Sequence, residues 1–245
     1  MDSLAEESTS NTNEMQQYDK NENSRLVGPP SGPKTNYVNM INNICGATLL
    51  CIIIFCCFKD GVTLFSFHPI LMTLGWLMFM ATAINAIAPG DLATEWMPIR
   101  LRSARHWVLQ LCGSTIIFIG LIVIVTNKFI HDKPHFASLH SKFGLSAIIF
   151  MFITMTGGLG ALYSMKLKNY LPPLYTKLIH AFFGVVTFSL GIIAIILAYF
   201  STWWTFGDIL RYMNLVLALI ILLFTVLRPS LKIYFRLKER FESPN

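Results

Sequence analysis

Charge is the scarcest thing in this 245-residue chain. Asp, Glu, Lys and Arg make up 13% of it, against about 25% in an ordinary soluble domain. With 54% hydrophobic residues, that shortage excludes a soluble globular fold. The short alternating segments of a membrane β-barrel are missing too. Instead, several runs reach the roughly 18–20 apolar residues that a helix needs to cross a bilayer. No CxxC pair and no loop-based disulfide framework is present. The five cysteines, Cys45, Cys51, Cys56, Cys57 and Cys112, all lie in apolar runs and read as small packing residues. No cleavable signal peptide is visible, so the first apolar run is expected to act as an uncleaved membrane signal.

What remains is an all-α membrane protein. Six spans are expected, at about 37–58, 67–88, 104–126, 139–163, 177–199 and 209–227. Short connections between them make successive helices antiparallel neighbours in a compact bundle. The polar stretch 1–36 cannot bury a core and reads as a disordered tail. Residues 228–245 read as a basic tail.

Lys and Arg set the orientation. On one side stand Lys20, Arg25 and Lys34, then Arg100, Arg102 and Arg105, then Lys166, Lys168 and Lys177. The C-terminal Arg228, Lys232, Arg236, Lys238 and Arg240 join them. On the other side are Lys59, Lys128, Lys133, Lys142 and Arg211. The positive-inside rule therefore expects both termini in the cytoplasm. The net charge of +6 needs no nucleic-acid partner to explain it. Tyr199, Phe200, Trp203, Trp204 and Phe206 read as an interfacial aromatic belt on the non-cytoplasmic side.

Four histidines interrupt the apolar sequence near span entrances: His68 in FSFHP, His106 in ARHW, His140 in SLHS and His180 in LIHAFFG. Ionisable groups in a membrane segment are costly and default to a functional reading. Span direction sorts them. His68 and His140 enter from the non-cytoplasmic side, His106 and His180 from the cytoplasm. Two imidazoles at one depth on two helices can hold one metal between them, and bis-His haem b suits this arrangement. Zinc would recruit a further Asp, Glu or Cys, and no Asp or Glu lies well inside any span. The two centres are expected roughly 20 Å apart along the membrane normal. Gly75, Gly113, Gly144 and Gly184 follow their histidines at offsets of seven or four, on the same helix face. They are expected to clear room for a porphyrin edge.

FSFHP at 65–69, ARHWVLQ at 104–110, SLHS at 138–141 and LIHAFFG at 178–184 carry a family resemblance in order and spacing. Over about residues 59–205 the chain resembles the cytochrome b561 family of six-span, two-haem transmembrane oxidoreductases. HWVLQ looks most like its branch of cytochrome b561 domain-containing proteins. The resemblance implies a central four-helix bundle holding two b haems. Their axial ligands would be His68 with His140 and His106 with His180. It also implies ascorbate as cytoplasmic donor, monodehydroascorbate radical or ferric iron as acceptor, and a homodimer. Endoplasmic reticulum or vesicle membrane is favoured over plasma membrane. The ascorbate motif of the chromaffin-granule type is not matched; residues 89–102 stand in its place.

Ascorbate is an anion at neutral pH. Arg100, Arg102, Arg105, Lys166, Lys168 and Lys177 could form a positive rim over the His106–His180 centre. Arg105 and Lys177 are the foremost candidates. On the far face the candidates are Lys142, His135 and Lys133. Two other classes stay open: a histidine-lined transporter of metal ions or protons, and a membrane adaptor acting through its tails.

Overall fold

A computed structural model describes residues 37–88, 91, 93–94 and 96–242. The expected N-terminal tail, 1–36, lies outside the described residues. Among the described residues, six helices are long and apolar enough to cross a membrane: α1 (Val38–Phe58), α2 (Leu64–Asn85), α3 (Ile99–Ile130), α4 (Leu139–Leu162), α5 (Pro173–Tyr199) and α6 (Asp208–Glu242). No strand runs through the described residues.

Local signals set where several helices begin. Thr63 and Ser66 form a capping box at the start of α2, and Ser138 and Ser141 form another at the start of α4. Each supplies a side-chain acceptor to an otherwise orphaned backbone N–H. Pro173 occupies the first turn of α5, where a missing N–H costs nothing. The expected spans shift accordingly. The second begins at Leu64 rather than 67, the third runs Ile99–Ile130, and the fifth starts at Pro173.

The sixth differs most. Apolar sequence ends near 227, yet α6 continues through Pro229 to Glu242, so most of the basic tail is helix. Within it Arg236 is 9% exposed.

One helix is irregular. Inside α2, residues Leu74–Met80 form a π-helix between α-helical Leu64–Thr73 and Ala81–Asn85. A π turn is wider than an α turn and takes up an extra residue over the same length.

The bundle is built from two tight hairpins, α2 with α3 and α4 with α5. α1 packs on α2 and α6, and α6 also packs on α5, so the outer helices brace both hairpins. The hairpins approach each other through the π stretch of α2 against α5. Trp76 sits there, 3% exposed, over Gly191. The aromatic residues near the α5–α6 connection do more than line a boundary. Trp203, Trp204, Phe206 and Tyr199 stack on one another, and Phe65 joins Trp203 at 5.8 Å and His68 at 6.4 Å, ring centre to ring centre.

Candidate functional site

The four histidines come from four different helices and meet as two pairs. His68 of α2 and His140 of α4 have ring centres 6.1 Å apart and planes crossed at 83°. His106 of α3 and His180 of α5 lie 6.2 Å apart with planes crossed at 88°. Each pair therefore bridges the two hairpins.

Every Nδ1 has a backbone carbonyl partner. His68 meets Gly120 O at 2.9 Å and His106 meets Ala83 O at 2.8 Å. His140 meets Ala194 O at 2.8 Å and His180 meets Thr154 O at 3.2 Å. A carbonyl can only accept, so Nδ1 carries the proton in each ring. A neutral imidazole then keeps its lone pair on Nε2, the form that binds a metal. The bonds are reciprocal within each hairpin: α2 and α3 exchange one each, and so do α4 and α5. The Ala83 carbonyl is among the last four of α2, which lack a partner in their own helix. His106 fills that need.

These bonds also measure the site. His106 and Gly120 are 14 residues apart on α3, His140 and Thr154 are 14 apart on α4, and His180 and Ala194 are 14 apart on α5. At about 1.5 Å per residue, each spacing gives about 21 Å between the two levels. On α2 the corresponding pair, His68 and Ala83, is 15 apart. α2 is the helix with the π stretch, which absorbs the extra residue.

A metal ion can be tested against the pairs. Two imidazole–metal bonds of about 2.0 Å, plus about 1.1 Å from each nitrogen to its ring centre, put the centres about 6.2 Å apart. Both separations match one ion shared by the two rings of a pair. Among the described residues no group of three or more His, Cys, Asp or Glu gathers around either pair, so the remaining ligands would have to come with the ion.

The glycine expectation divides. Around Gly144 and Gly184 there is room, with nothing nearer an added Cβ than 3.9 Å. Gly75 and Gly113 are instead occupied with each other's helix. A Cβ on Gly75 would lie 2.5 Å from Ile117 Cγ1 and 3.2 Å from the Gly113 carbonyl oxygen. One on Gly113 would lie 2.9 Å from Phe79 Cβ. These two let α2 and α3 close together, the usual service of glycine in membrane helices. A glycine that no such offset points to also lies against a histidine ring. A Cβ on Gly158 would stand 3.2 Å from His180 Cε1. Offsets counted along a histidine's own helix cannot find a neighbour on the facing helix.

At the His106–His180 end the basic side chains hold the preceding connection. Arg102 Nε donates to Met97 O at 2.9 Å, and Arg105 Nη1 reaches Ala93 O at 3.4 Å. Lys166 lies over the Tyr163 ring at 5.5 Å, and Arg100 is exposed. At the other end, Lys133 and His135 line a cavity of about 790 Å³ with Lys128, Phe129 and Asp132. Lys142 is exposed but does not line it. Lys128, which the sequence places on this side but not among the acceptor-side candidates, lines it as well. Its Nζ donates to Pro134 O at 2.7 Å, closing the α3–α4 loop. Between the two levels, the Thr154 and Thr187 hydroxyls pair at 2.7 Å.

Residues 67–205 match the family profile described as eukaryotic cytochrome b561. Transmembrane reductase CYB561D2 of Mus musculus is 33% identical over 147 residues, which are 60% of this chain and 66% of the relative. Its Homo sapiens counterpart is 32% identical over the same shares. Lysosomal membrane ascorbate-dependent ferrireductase CYB561A3 of Mus musculus is 29% identical over 143 residues, 56% of each chain. The chain thus spans just under two thirds of the length of the first two relatives.

Proposed function

Because this chain belongs to the eukaryotic cytochrome b561 family, we propose that it is a transmembrane reductase carrying one electron at a time between the two faces of a bilayer. The observation that carries this reading is the pair of crossed histidines at each of two levels, 6.1 and 6.2 Å between ring centres. In this reading His68 with His140, and His106 with His180, each ligate one haem b. Haem b supplies a one-electron iron couple, with its potential set by ligands and surroundings. The chain's own part is to present four Nε2 lone pairs, fix their rings through backbone carbonyls and hold the levels about 21 Å apart. Two histidine ligands on one haem iron would leave no place for O₂ and so would favour electron transfer over oxygen chemistry.

The donor in this proposal is ascorbate on the cytoplasmic side, at the His106–His180 end. The acceptor is monodehydroascorbate radical or ferric iron at the other. One relative's name, an ascorbate-dependent ferrireductase, supports that choice of substrates. Arg100, Arg102, Arg105, Lys166, Lys168 and Lys177 draw in the ascorbate anion. Lys133, His135 and Lys142 serve the acceptor side. A proton or metal transporter would need a polar path between the levels, and the paired Thr154 and Thr187 hydroxyls make a poor one. An endoplasmic reticulum or vesicle membrane, with both termini in the cytoplasm, completes the reading.

Purified protein should show a low-spin b-type absorption spectrum, two haems per chain, reduced on adding ascorbate. A folded, colourless protein would sink the proposal. A finer test concerns the rim. Arg105→Gln and Lys177→Gln should each raise the KM for ascorbate several-fold, with a smaller change in kcat, and high salt should mimic them. Arg105→Lys should keep most of the affinity. Equal KM values in wild type and both Gln variants would remove these residues from the donor site.

A further inference from the structure

A cavity of about 500 Å³ lies outside the histidine sites, between the start of α1, the end of α2 and the connection after it. The Thr82 hydroxyl donates to Asn43 Oδ1 at 2.8 Å, which aligns the two helices at this level. Asn39, Asn43 and Asp91 line its upper part, and Ile44, Ala47 and Met78 continue it as an apolar trough. From Asn39 to Ala47 the trough follows α1 for about 12 Å. Ile44 is 58% exposed, so this wall opens on the bilayer side.

Among the described residues, two acceptors in it make no hydrogen bond. Asn39 is 3% exposed and Asp91 1%, yet Asn39 Oδ1 and Asp91 Oδ2 make no hydrogen bond. The other Asp91 oxygen is used, accepting from the Ala93 N–H at 2.9 Å and the Thr94 hydroxyl at 3.4 Å. A buried carboxylate oxygen and a buried amide oxygen without donors are costly unless something supplies N–H or O–H groups. Both ask for an N–H or O–H donor. The apolar trough asks for a hydrocarbon chain continuous with that donor. Arg228 is close enough to Asp91 to interact with it electrostatically, which favours a zwitterionic headgroup over a purely cationic one.

We propose that this groove binds a phospholipid with a primary-ammonium headgroup. The ammonium N–H groups sit on Asp91 Oδ2 and Asn39 Oδ1, and an acyl chain lies along Ile44, Ala47 and Met78. A quaternary ammonium has the charge but no N–H to donate, and an anionic headgroup has the wrong sign. Nothing in this inference depends on haem.

The full-length protein, exchanged into mixed micelles with equal amounts of phosphatidylethanolamine, phosphatidylcholine and phosphatidylglycerol, can be read by native mass spectrometry. One phosphatidylethanolamine per chain should be retained, at least tenfold over the other two. Stepwise N-methylation of the lipid should lower retention at each step, a trend that needs no protein variant. Asp91→Asn and Asn39→Leu should each cut the preference at least fivefold, whereas Asp208→Asn, an exposed acid at the opposite end, should not. Equal retention of the three lipids, or a preference unmoved by methylation, would overturn the proposal. So would a preference that survives in folded Asp91→Asn protein.

Discussion

His106→Ala and His180→Ala should each remove the same haem centre and leave the other spectroscopically intact. His68→Ala and His140→Ala should together define the second centre. The expectation rests on ring separations: each of these four histidines has one histidine partner, at 6.1 or 6.2 Å, and the two levels are about 21 Å apart. A lone remaining imidazole cannot hold low-spin bis-His coordination. About half of the b-type absorbance should therefore be lost in each variant, and transfer of electrons from one face to the other should fall to background. Folding should largely survive, because each substitution leaves one helix carbonyl without its histidine donor, a loss of about 1–3 kcal/mol. Potentiometric titration of the four variants checks this. If His106→Ala abolished the centre that His68→Ala abolishes, the pairing would be wrong.

That pairing was legible in the sequence because it needs only span count and chain direction. Six apolar runs alternate direction, and a histidine near the entrance of each of four runs must fall at one face or the other. The resemblance of FSFHP, ARHWVLQ, SLHS and LIHAFFG to one family added the chemistry. What stayed illegible depends on facing helices. Gly75 and Gly113 have the right offsets for a cofactor, yet they serve α2–α3 contact, because offset specifies a face and not what that face meets. Gly158 lies against His180 from the neighbouring helix and carries no offset at all. The π stretch at Leu74–Met80 becomes readable only when the carbonyl partners show that α2 must fit 15 residues where its neighbours fit 14. The length of α6 was missed for another reason. Composition turns polar after 227, but a helix already nucleated by tertiary packing can run on through charged sequence, and even through Pro229.

The seam between the hairpins carries the other large expected effect. Trp76 is 3% exposed and lies over Gly191, where an added Cβ would come within 2.6 Å of the indole carbons Cδ2 and Cε3. Real Cβ atoms do not approach so closely, so Gly191→Ala must push the ring or part the helices. Trp76 is buried and has little room to move, and overpacking of this kind typically costs about 1–3 kcal/mol. Trp76→Ala removes the ring altogether and should cost about 3–5 kcal/mol. The two sites touch, so their effects should not add. In a Trp76→Phe background the smaller ring should accept the extra methyl, and Gly191→Ala should cost less there than in the parent. Thermal melting of the detergent-solubilised protein, followed by its helical circular dichroism, measures the parent and each of these variants. Since this seam lies between the two histidine levels, a loosened seam should also broaden the potentiometric transitions of both centres, an effect that a local defect at one level would confine to one of them. Were Gly191→Ala as stable as the parent, the close approach of α2 to α5 would not be what joins the two hairpins.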